Sequence, residues 1–159
     1  MRQATLVFPV QGYPCDRVLL GLKKRGFGAF KWNGFGGKKE ADEDPEESAS
    51  RELREECCLD VTPRDLEKVA EMSFYFPSFP EWNMFVHTFI ARTYRGKPLE
   101  TEEMRPAWFS MDMIPFDEMW ADDRYWLPLV LRGEKVKGIF TFNNDRATLA
   151  EHTLEKAKF

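Results

Sequence analysis

Residues 37–59 have the sequence GKKEADEDPEESASRELREECCL, and this stretch contains the clearest helix start in the chain. Asp44 can act as an N-cap, Pro45 fits the first helical position, and Glu47 completes the spacing of a capping box. We therefore expect a helix from about residue 45 to about residue 59.

Three acidic side chains share one face of this expected helix. Each residue advances by about 100° around an α-helix, so Glu52, Glu55 and Glu56 fall within a sector of about 100°. The adjoining sector is apolar and carries Ala49, Leu53 and Cys57. Carboxylates this close repel, and a hard divalent cation with oxygen ligands would remove the repulsion. An acidic helix alone is more often an ordinary solvated surface, so the wider pattern has to decide.

That pattern is the spacing around the helix. Gly37 is followed after five residues by Glu43, and Glu43 after seven by residues 51–56, RELREE. Here the sequence resembles the Nudix hydrolase family and matches every fixed position of its signature from residue 37 to residue 59 except one. Cys58 stands where the family has glycine. Positive φ is easy for glycine and costly for cysteine, so we expect a strained or altered helix end.

The resemblance implies a fold and a chemistry. The fold is of the α/β class, an α/β/α sandwich with a mixed β-sheet, in a single domain over residues 1–159. The chemistry is hydrolysis of a nucleoside diphosphate linked to another group, with Mg²⁺ as cofactor and Mn²⁺ as the alternative. The implied metal ligands are Gly36, through its carbonyl, and Glu52, Glu55, Glu56 and Glu103.

The same resemblance assigns two supporting roles and leaves one open. Arg51 matches the arginine that orients a carboxylate of the signature by a salt bridge, and Glu43 lies on the arm before the helix. The general base stays open among Glu52, Glu56 and Glu103.

Several further segments resemble the oxidised purine nucleoside triphosphatases within this family, which hydrolyse 8-oxo-dGTP and 2-hydroxy-dATP. They are residues 17–29, 32–38, 103–106, 114–116, 119–123 and 125–126. The resemblance implies that Asn33, Asp122 and Asp123 face the polar edge of a purine. It places Trp120 on the ring, Phe27, Phe74 and Met84 on the pocket wall, and Thr5 and Lys23 near the sugar and phosphates. Phe35, Gly37 and Lys38 complete the expected substrate contacts.

The adjacent pair Asp122 and Asp123 suggests how one pocket could accept two bases. Neighbouring carboxylates in a dry pocket raise each other's pKa. We hypothesise that a shared proton lets the pair match either an oxidised guanine or an oxidised adenine edge. Out of context, an Asp-Asp pair is more often a helix cap, and Trp120, Phe27, Phe74 and Met84 are more often core residues.

Local patterns extend the fold prediction. Strands are expected at 5–10 and 17–22, joined as a hairpin by the turn at 11–16, and at 68–76, 84–94, 104–110 and 136–142. A shaped loop or short strands should occupy 25–38, a short helix should start at Asp122 or Asp123 and run to about 132, and a helical tail is expected over about 147–158. His87 and His152 are interpreted as structural residues, on a strand and on that tail helix.

Composition narrows the class of protein. The chain has 159 residues and a formal net charge of −4, without a broad basic face, so polymeric nucleic acid is not an expected partner. Cys15, Cys57 and Cys58 form no paired framework, which favours a reducing compartment. With neither a secretory segment nor a membrane span in the sequence, we expect a cytoplasmic monomer that acts on a small nucleoside triphosphate.

Two alternatives remain open at this point. The chain could be another Nudix pyrophosphatase, acting on ADP-ribose, a dinucleoside polyphosphate or a capped RNA end, or a catalytically silent Nudix domain. An isomerase of isoprenoid diphosphates shares the fold, but its outside catalytic residues are not evident here. The turn at 11–16 and the aromatic loop at 77–82 depart from the mammalian-type pattern and should reshape the rim of the pocket.

Overall fold

The computed structural model describes residues 1–12 and 14–159. Within them lie nine strands and two α-helices. In chain order these are β1 (Arg2–Gln11), β2 (Arg17–Lys23), β3 (Trp32–Asn33), β4 (Phe35–Lys38), α1 (Pro45–Cys57), β5 (Leu66–Tyr75), β6 (Met84–Ala91), β7 (Met104–Ser110), α2 (Asp123–Leu131), β8 (Val136–Phe142) and β9 (Leu149–Lys156). Short 3₁₀ turns occupy Pro63–Asp65, Pro80–Trp82, Met111–Met113 and Phe116–Glu118.

The strands form a mixed sheet in the order β3-β2-β1-β6-β5-β8-β9, with β4 also pairing with β1 and β7 with β2. β1 runs parallel to β6 and β5 runs parallel to β8, whereas the other pairs are antiparallel. The α/β fold with a mixed sheet is therefore confirmed.

Neighbouring residues of β1 show how the layers are built. Successive side chains of a strand point to opposite faces. Val7 is fully buried in the apolar cluster that holds Leu53 of α1, and Phe8 is fully buried in the cluster that holds Trp126 of α2. Each face of the sheet therefore has its own core and its own helix, which is the expected α/β/α arrangement.

Helix α1 begins as the capping-box spacing predicts. The Asp44 carboxylate accepts a hydrogen bond of 2.8 Å from the Glu47 backbone N–H, and the Glu47 carboxylate accepts one of 3.4 Å from the Asp44 backbone N–H. The helix ends at Cys57, and Cys58 follows in the left-handed conformation with φ of 67°. Cysteine thus occupies the backbone position that favours glycine, as expected from the departure at residue 58.

The prediction of a helical tail over 147–158 is wrong. This segment is β9, an edge strand that pairs antiparallel with β8 from Val136↔Lys156 to Phe142↔Leu149. Ala, Glu and Lys residues favour a helix locally, but the open edge of β8 offers a full row of backbone hydrogen bonds. His152 accordingly lies on a strand, where its ring packs on Phe140 with 5.6 Å between ring centroids.

The other predicted elements are confirmed with shifts of a few residues at their ends. β1 and β2 form the expected hairpin, with Val10↔Val18 in register and Asp16 N–H donating to the Gln11 carbonyl at 2.7 Å. Tyr13, within the predicted turn at 11–16, lies outside the described residues. Neither α1 nor α2 is long and apolar enough to span a membrane.

Candidate active site

A cavity of about 630 Å³ is lined by side chains of α1 and by the residues at the N-terminus of α2. Fifteen residues expected at the site line it: Thr5, Lys23, Phe27, Asn33, Gly36, Gly37, Lys38, Glu52, Glu56, Phe74, Met84, Glu103, Trp120, Asp122 and Asp123. One end of this cavity is acidic and the other is aromatic.

Glu56 anchors the acidic end. Its carboxylate accepts a hydrogen bond of 2.7 Å from the Gly36 backbone N–H, and the residue is only 4% exposed. Gly36 is required because a Cβ there would lie 1.7 Å from the Thr5 carbonyl oxygen of the neighbouring strand. A Cβ on Gly37 would lie 2.7 Å from Glu52 Oε1. Glycine therefore lets the backbone of β4 lie directly against the carboxylates of α1.

Arg51 ties the acidic residues together. Its Nε and Nη2 donate to the two carboxylate oxygens of Glu43, at 3.0 and 2.6 Å. Its Nη1 donates to Glu52 at 3.0 Å and to Glu55 at 3.3 Å. The Arg51 guanidinium holds the pKa of Glu43 at about 2, and the bidentate contact fixes the guanidinium plane. Arg51 thus orients Glu52, as the resemblance implies.

Burial affects the acids at the cavity in the opposite direction. Burial, followed by repulsion from Glu52 and Glu103, raises the pKa of Glu56 to about 8. Burial also raises the pKa of Glu52, against the effect of Arg51. Carboxylates that are sheltered and mutually repelling gain stability when a cation neutralises them.

These acids fit a divalent cation that keeps part of its water shell. Glu52, Glu56 and Glu103 line the same end of the cavity, beside the backbone of Gly36. Among the described residues, no group of three or more acidic, histidine or cysteine side chains is placed to hold a metal ion without other ligands. An open set suits a cation that completes its shell with water and substrate phosphates.

Glu55 and Phe35 lie elsewhere. Half of the Glu55 side chain is exposed, and it pairs with Arg51 rather than lining the cavity. Phe35 is fully buried in the core beneath α1, so it packs the sheet against the helix and does not line the cavity. The expected substrate contact of Phe35 is therefore corrected to a packing role.

Glu103 reaches the acidic end from the start of β7. Thr101 Oγ1 donates to the Glu56 carbonyl at 2.9 Å, which attaches this segment to the end of α1. The backbone N–H groups of Glu103 and Met104 both donate to the same hydroxyl oxygen, at 3.3 and 3.2 Å. The Glu103 carbonyl accepts from Lys24 N–H at 2.9 Å. An acid 47 positions from Glu56 along the chain is thereby held beside it.

The aromatic end contains the buried acidic pair at the N-terminus of α2. Asp122 is 3% exposed and accepts a hydrogen bond of 2.8 Å from Trp126 Nε1. Asp123 is 2% exposed, and its Oδ2 has no hydrogen-bond partner among the described residues. Burial raises the pKa of Asp122 to about 6. Burial and the charge of Asp122 raise the pKa of Asp123 well above its ordinary value. Both shifts favour the protonated form, and Asp123 Oδ2 is placed to take a polar partner.

Flat surfaces face this pair. The rings of Phe27 and Trp120 stack with centroids 5.2 Å apart, and Lys31 Nζ lies 5.4 Å from the centroid of Trp120 on its ring face. Gly28, at φ of 79°, lies against the Trp120 ring, since a Cβ there would be 3.3 Å from Nε1. Half-buried Asn33 lies nearby, with its Oδ1 accepting from Gly34 N–H at 2.8 Å. This arrangement suits a flat heterocycle with a polar edge.

Eleven lining residues were not among the predicted site residues, namely Arg2, Ala4, Leu6, Gly28, Gly34, Phe76, Glu81, Trp82, Val86, Met104 and Phe142. Glu81 and Trp82 belong to the aromatic loop at 77–82, and its unusual composition was the signal available. Phe76 and Phe142 stack on each other with centroids 4.9 Å apart, which joins β5 to β8 below the cavity. Such strand-end aromatics resemble ordinary core residues in the sequence.

Comparisons with known proteins agree with this geometry. A protein from Mus musculus named oxidized purine nucleoside triphosphate hydrolase is 49% identical over 155 residues, covering 98% of this chain and 95% of that protein. A Danio rerio protein of the same name is 48% identical over 97% of this chain and 94% of its own length. The crystal structure of a mutator MutT protein from Bacillus halodurans superimposes with a TM-score of 0.82 at 26% identity, covering 98% of both chains.

The family model described as the NUDIX domain matches residues 3–130. This range includes both the acidic end of the cavity and the buried acidic pair. The chain belongs to the NUDIX domain family.

Proposed function

We propose that this protein is a Nudix pyrophosphohydrolase that converts oxidised purine nucleoside triphosphates, 8-oxo-dGTP and 2-hydroxy-dATP, to the monophosphate and pyrophosphate. The observation that carries the proposal is one cavity that joins the buried Asp122–Asp123 pair to the acids Glu52, Glu56 and Glu103. The names of the mouse and zebrafish relatives support the same activity. Removal of such nucleotides would keep damaged bases out of the precursor pool for DNA synthesis.

The acidic end would perform the hydrolysis. Glu52, Glu56 and Glu103, with the Gly36 carbonyl, would hold Mg²⁺, and Mn²⁺ is the proposed substitute. When bound, the cation neutralises charge on the phosphate oxygens and lowers the pKa of water. One carboxylate among Glu52, Glu56 and Glu103 takes the proton of the attacking water. The water oxygen would bond to one phosphorus of the anhydride between the α- and β-phosphates as the bond from that phosphorus to the bridging oxygen breaks, which gives the monophosphate and pyrophosphate.

Arg51, Lys23 and Lys38 support this step from different positions. Arg51 fixes Glu52 through the contacts described above, which keeps its oxygens aimed into the cavity. Lys23 and Lys38 line the same cavity and supply positive charge along its wall. We assign them to the sugar and phosphates, together with Thr5 and Gly37.

The aromatic end would select the base. Trp120 provides the stacking face, and Phe27, Phe74 and Met84 provide the apolar wall. A protonated carboxyl donates a hydrogen bond and an ionised one accepts it. The Asp122–Asp123 pair holding one proton can therefore present a donor and an acceptor together, and moving that proton exchanges the two. This exchange would let the pair match both oxidised bases.

A substrate panel tests the proposed activity. Products from 8-oxo-dGTP, 2-hydroxy-dATP, ADP-ribose, a dinucleoside polyphosphate and capped RNA should be separated by chromatography, with Mg²⁺ and with excess chelator. We expect pyrophosphate and monophosphate from the two oxidised nucleotides and no turnover with chelator. Preference for ADP-ribose or another linked diphosphate would overturn the substrate assignment. The absence of turnover of every substrate at saturating Mg²⁺ would overturn the proposed activity.

We also propose that the enzyme acts as a cytoplasmic monomer on freely diffusing nucleotides. This proposal is supported by the cavity, in which Glu52, Glu56, Glu103, Asp122 and Asp123 of a single chain lie together. Light scattering coupled to size exclusion should give a mass near 18.7 kDa. A dimer at assay concentration would contradict the monomer proposal.

A further inference from the structure

Trp82 lies on the wall of the cavity and has no role in the function proposed above. It belongs to the 3₁₀ turn Pro80–Trp82 and is half-buried. Its ring contacts Phe27 edge to face with centroids 4.6 Å apart, and Phe76 with centroids 5.5 Å apart. Phe27 also stacks on Trp120. The aromatic end of the cavity thus contains three rings in contact one after another, those of Trp82, Phe27 and Trp120.

Arg146 packs on Trp82 from the turn between β8 and β9. Its guanidinium carbon lies 4.4 Å from the centroid of the Trp82 ring and 4.3 Å from that of Phe79. Arg146 does not line the cavity. A guanidinium this close to two aromatic rings is held by cation–π attraction and by stacking. Any influence of Arg146 on the cavity must therefore pass through the aromatic loop at 77–82.

The turn that carries Arg146 is built to present it. Arg146 has φ of 57°, a left-handed conformation that a non-glycine residue adopts only when its surroundings enforce it. Asp145 enforces it by accepting from Ala147 N–H and Thr148 N–H, both at 2.9 Å, and from Thr148 Oγ1 at 2.7 Å. The backbone N–H of Asn143 donates to the Thr148 carbonyl at 2.8 Å.

One hydrogen bond also joins this turn to the aromatic loop. Ser78 Oγ donates a hydrogen bond to Asn144 Oδ1. Within the loop, the Asn83 side chain accepts from Phe76 N–H at 2.7 Å, and Trp82 N–H donates to the Phe79 carbonyl at 2.9 Å. The turn and the loop are therefore one connected unit, with the Trp82 ring on its cavity side and Arg146 behind that ring.

We propose that Trp82 is a specificity-determining residue that contacts the oxidised purine, and that Arg146 is a positioning residue that acts through Trp82. The inference rests on the proposed function, because the ligand it assigns to Trp82 is the base of that substrate. The Trp82 ring would add a second aromatic contact to the base, beside those made by Trp120 and by the Asp122–Asp123 pair. Because Glu52 and Glu56 lie at the opposite end, Trp82 contributes to binding and leaves the hydrolytic step unchanged.

The test uses binding and kinetics together. The variants are Trp82→Leu, Arg146→Asn, Arg146→Lys and the double variant with Trp82→Leu and Arg146→Asn. Asn accepts a left-handed backbone, so Arg146→Asn removes the guanidinium while keeping the turn. Arg64→Gln, at an exposed position on the Pro63–Asp65 turn, is the charge-matched control. Calorimetry with 8-oxo-dGMP in chelator measures base binding without metal, and steady-state kinetics with 8-oxo-dGTP gives KM and kcat.

We expect Trp82→Leu and Arg146→Asn each to raise the Kd for 8-oxo-dGMP and the KM for 8-oxo-dGTP by about five- to tenfold, as for loss of one aromatic contact. The kcat should stay within about twofold, and Arg146→Lys should recover part of the loss because lysine keeps the cation–π contact. The double variant should be no worse than Trp82→Leu alone, since Arg146 acts through Trp82.

Three results would overturn this inference. They are wild-type Kd and KM in both single variants, additive losses in the double variant, and equal losses with Arg64→Gln. If any of these results is obtained and the wild-type enzyme still prefers 8-oxo-dGTP, the proposed function remains intact. Wild-type enzyme without that preference would overturn the proposed function and the inference with it.

Discussion

The backbone N–H of Gly36 donates a 2.7 Å hydrogen bond to the carboxylate of Glu56, twenty positions further along the chain. This bond joins β4 to α1 at the point where the cavity is most acidic. It stabilises the ionised carboxylate, but burial outweighs it and raises the pKa of Glu56 to about 8. A bound cation would favour the ionised carboxylate of Glu56 and so reinforce this hydrogen bond.

Metal-free protein should lose stability as Glu56 ionises. Because burial raises its pKa in the folded state, the stabilising effect of the protonated form is fully present below pH 4.5 and is lost as pH rises to about 8. Replacement of Glu56 by Gln should flatten this decline, which thermal unfolding in chelator between pH 5 and pH 8.5 measures. Identical pH profiles for the two proteins would contradict the assignment. In Mg²⁺ the same variant should lose about two to three orders of magnitude in kcat.

Arg51 should be needed for activity through its geometry as well as its charge. Its bidentate contact with Glu43 and its bond to Glu52 require a planar guanidinium, so Arg51→Lys should lower kcat/KM by about 10- to 100-fold. Arg54→Gln is a suitable control, because Arg54 is exposed on α1 and pairs with Asp60 away from the cavity. Equal activities of Arg51→Lys and Arg54→Gln in a pyrophosphate-release assay would rule out the orienting role.

The acidic pair should set the ratio of activities on the two oxidised bases. Asp122→Asn or Asp123→Asn fixes one donor and one acceptor in place of a mobile proton. Each variant should change the ratio of kcat/KM for 8-oxo-dGTP to that for 2-hydroxy-dATP by about tenfold or more, since one base then leaves a buried polar group unpaired. Parallel kinetics on both nucleotides would check this. An unchanged ratio in both variants would show that a shared proton plays no part in base recognition.

Cys58 should be a site where glycine stabilises the fold. At φ of 67°, Cys58 has a conformation that costs a non-glycine residue energy, so Cys58→Gly should raise stability by about 0.5–1 kcal/mol. Cys58→Ala removes the thiol and keeps the backbone strain, and it should give no gain. Denaturant unfolding of both variants would separate these effects. A gain of equal size in both would assign the effect to the thiol instead of the backbone.

Local signals predicted most elements, and tertiary context explains the failures. The capping box of Asp44 and Glu47 is a short-range device, so the start of α1 could be placed within a residue. Residues 149–156 form a strand because they pair with the open edge of β8, and a short stretch of sequence does not contain that information. Phe35 shows the same limit at the site, because its sequence neighbours line the cavity while its own side chain enters the core beneath α1.

Glu103 was expected only from the family resemblance, and Glu55 shares the acidic helix face without lining the cavity. Glu52 and Glu56 were predictable because they lie four positions apart on one helix. Trp82 was not, since its place on the cavity depends on Arg146 and on the turn that holds it, 64 positions away. The partial prediction of the aromatic loop followed from its composition alone. Long-range packing then decided which of its side chains lines the cavity.

The central claim is that one cavity selects an oxidised purine and hydrolyses its triphosphate. The most direct test is the ratio of kcat/KM for 8-oxo-dGTP to that for dGTP with Mg²⁺, measured by pyrophosphate release in wild-type protein and in Glu56→Gln. We expect a ratio of about tenfold or more in the wild type, the size of effect that one base-edge hydrogen-bonding difference produces, and loss of turnover in the variant. Equal rates on the two nucleotides, or full activity of Glu56→Gln, would contradict it.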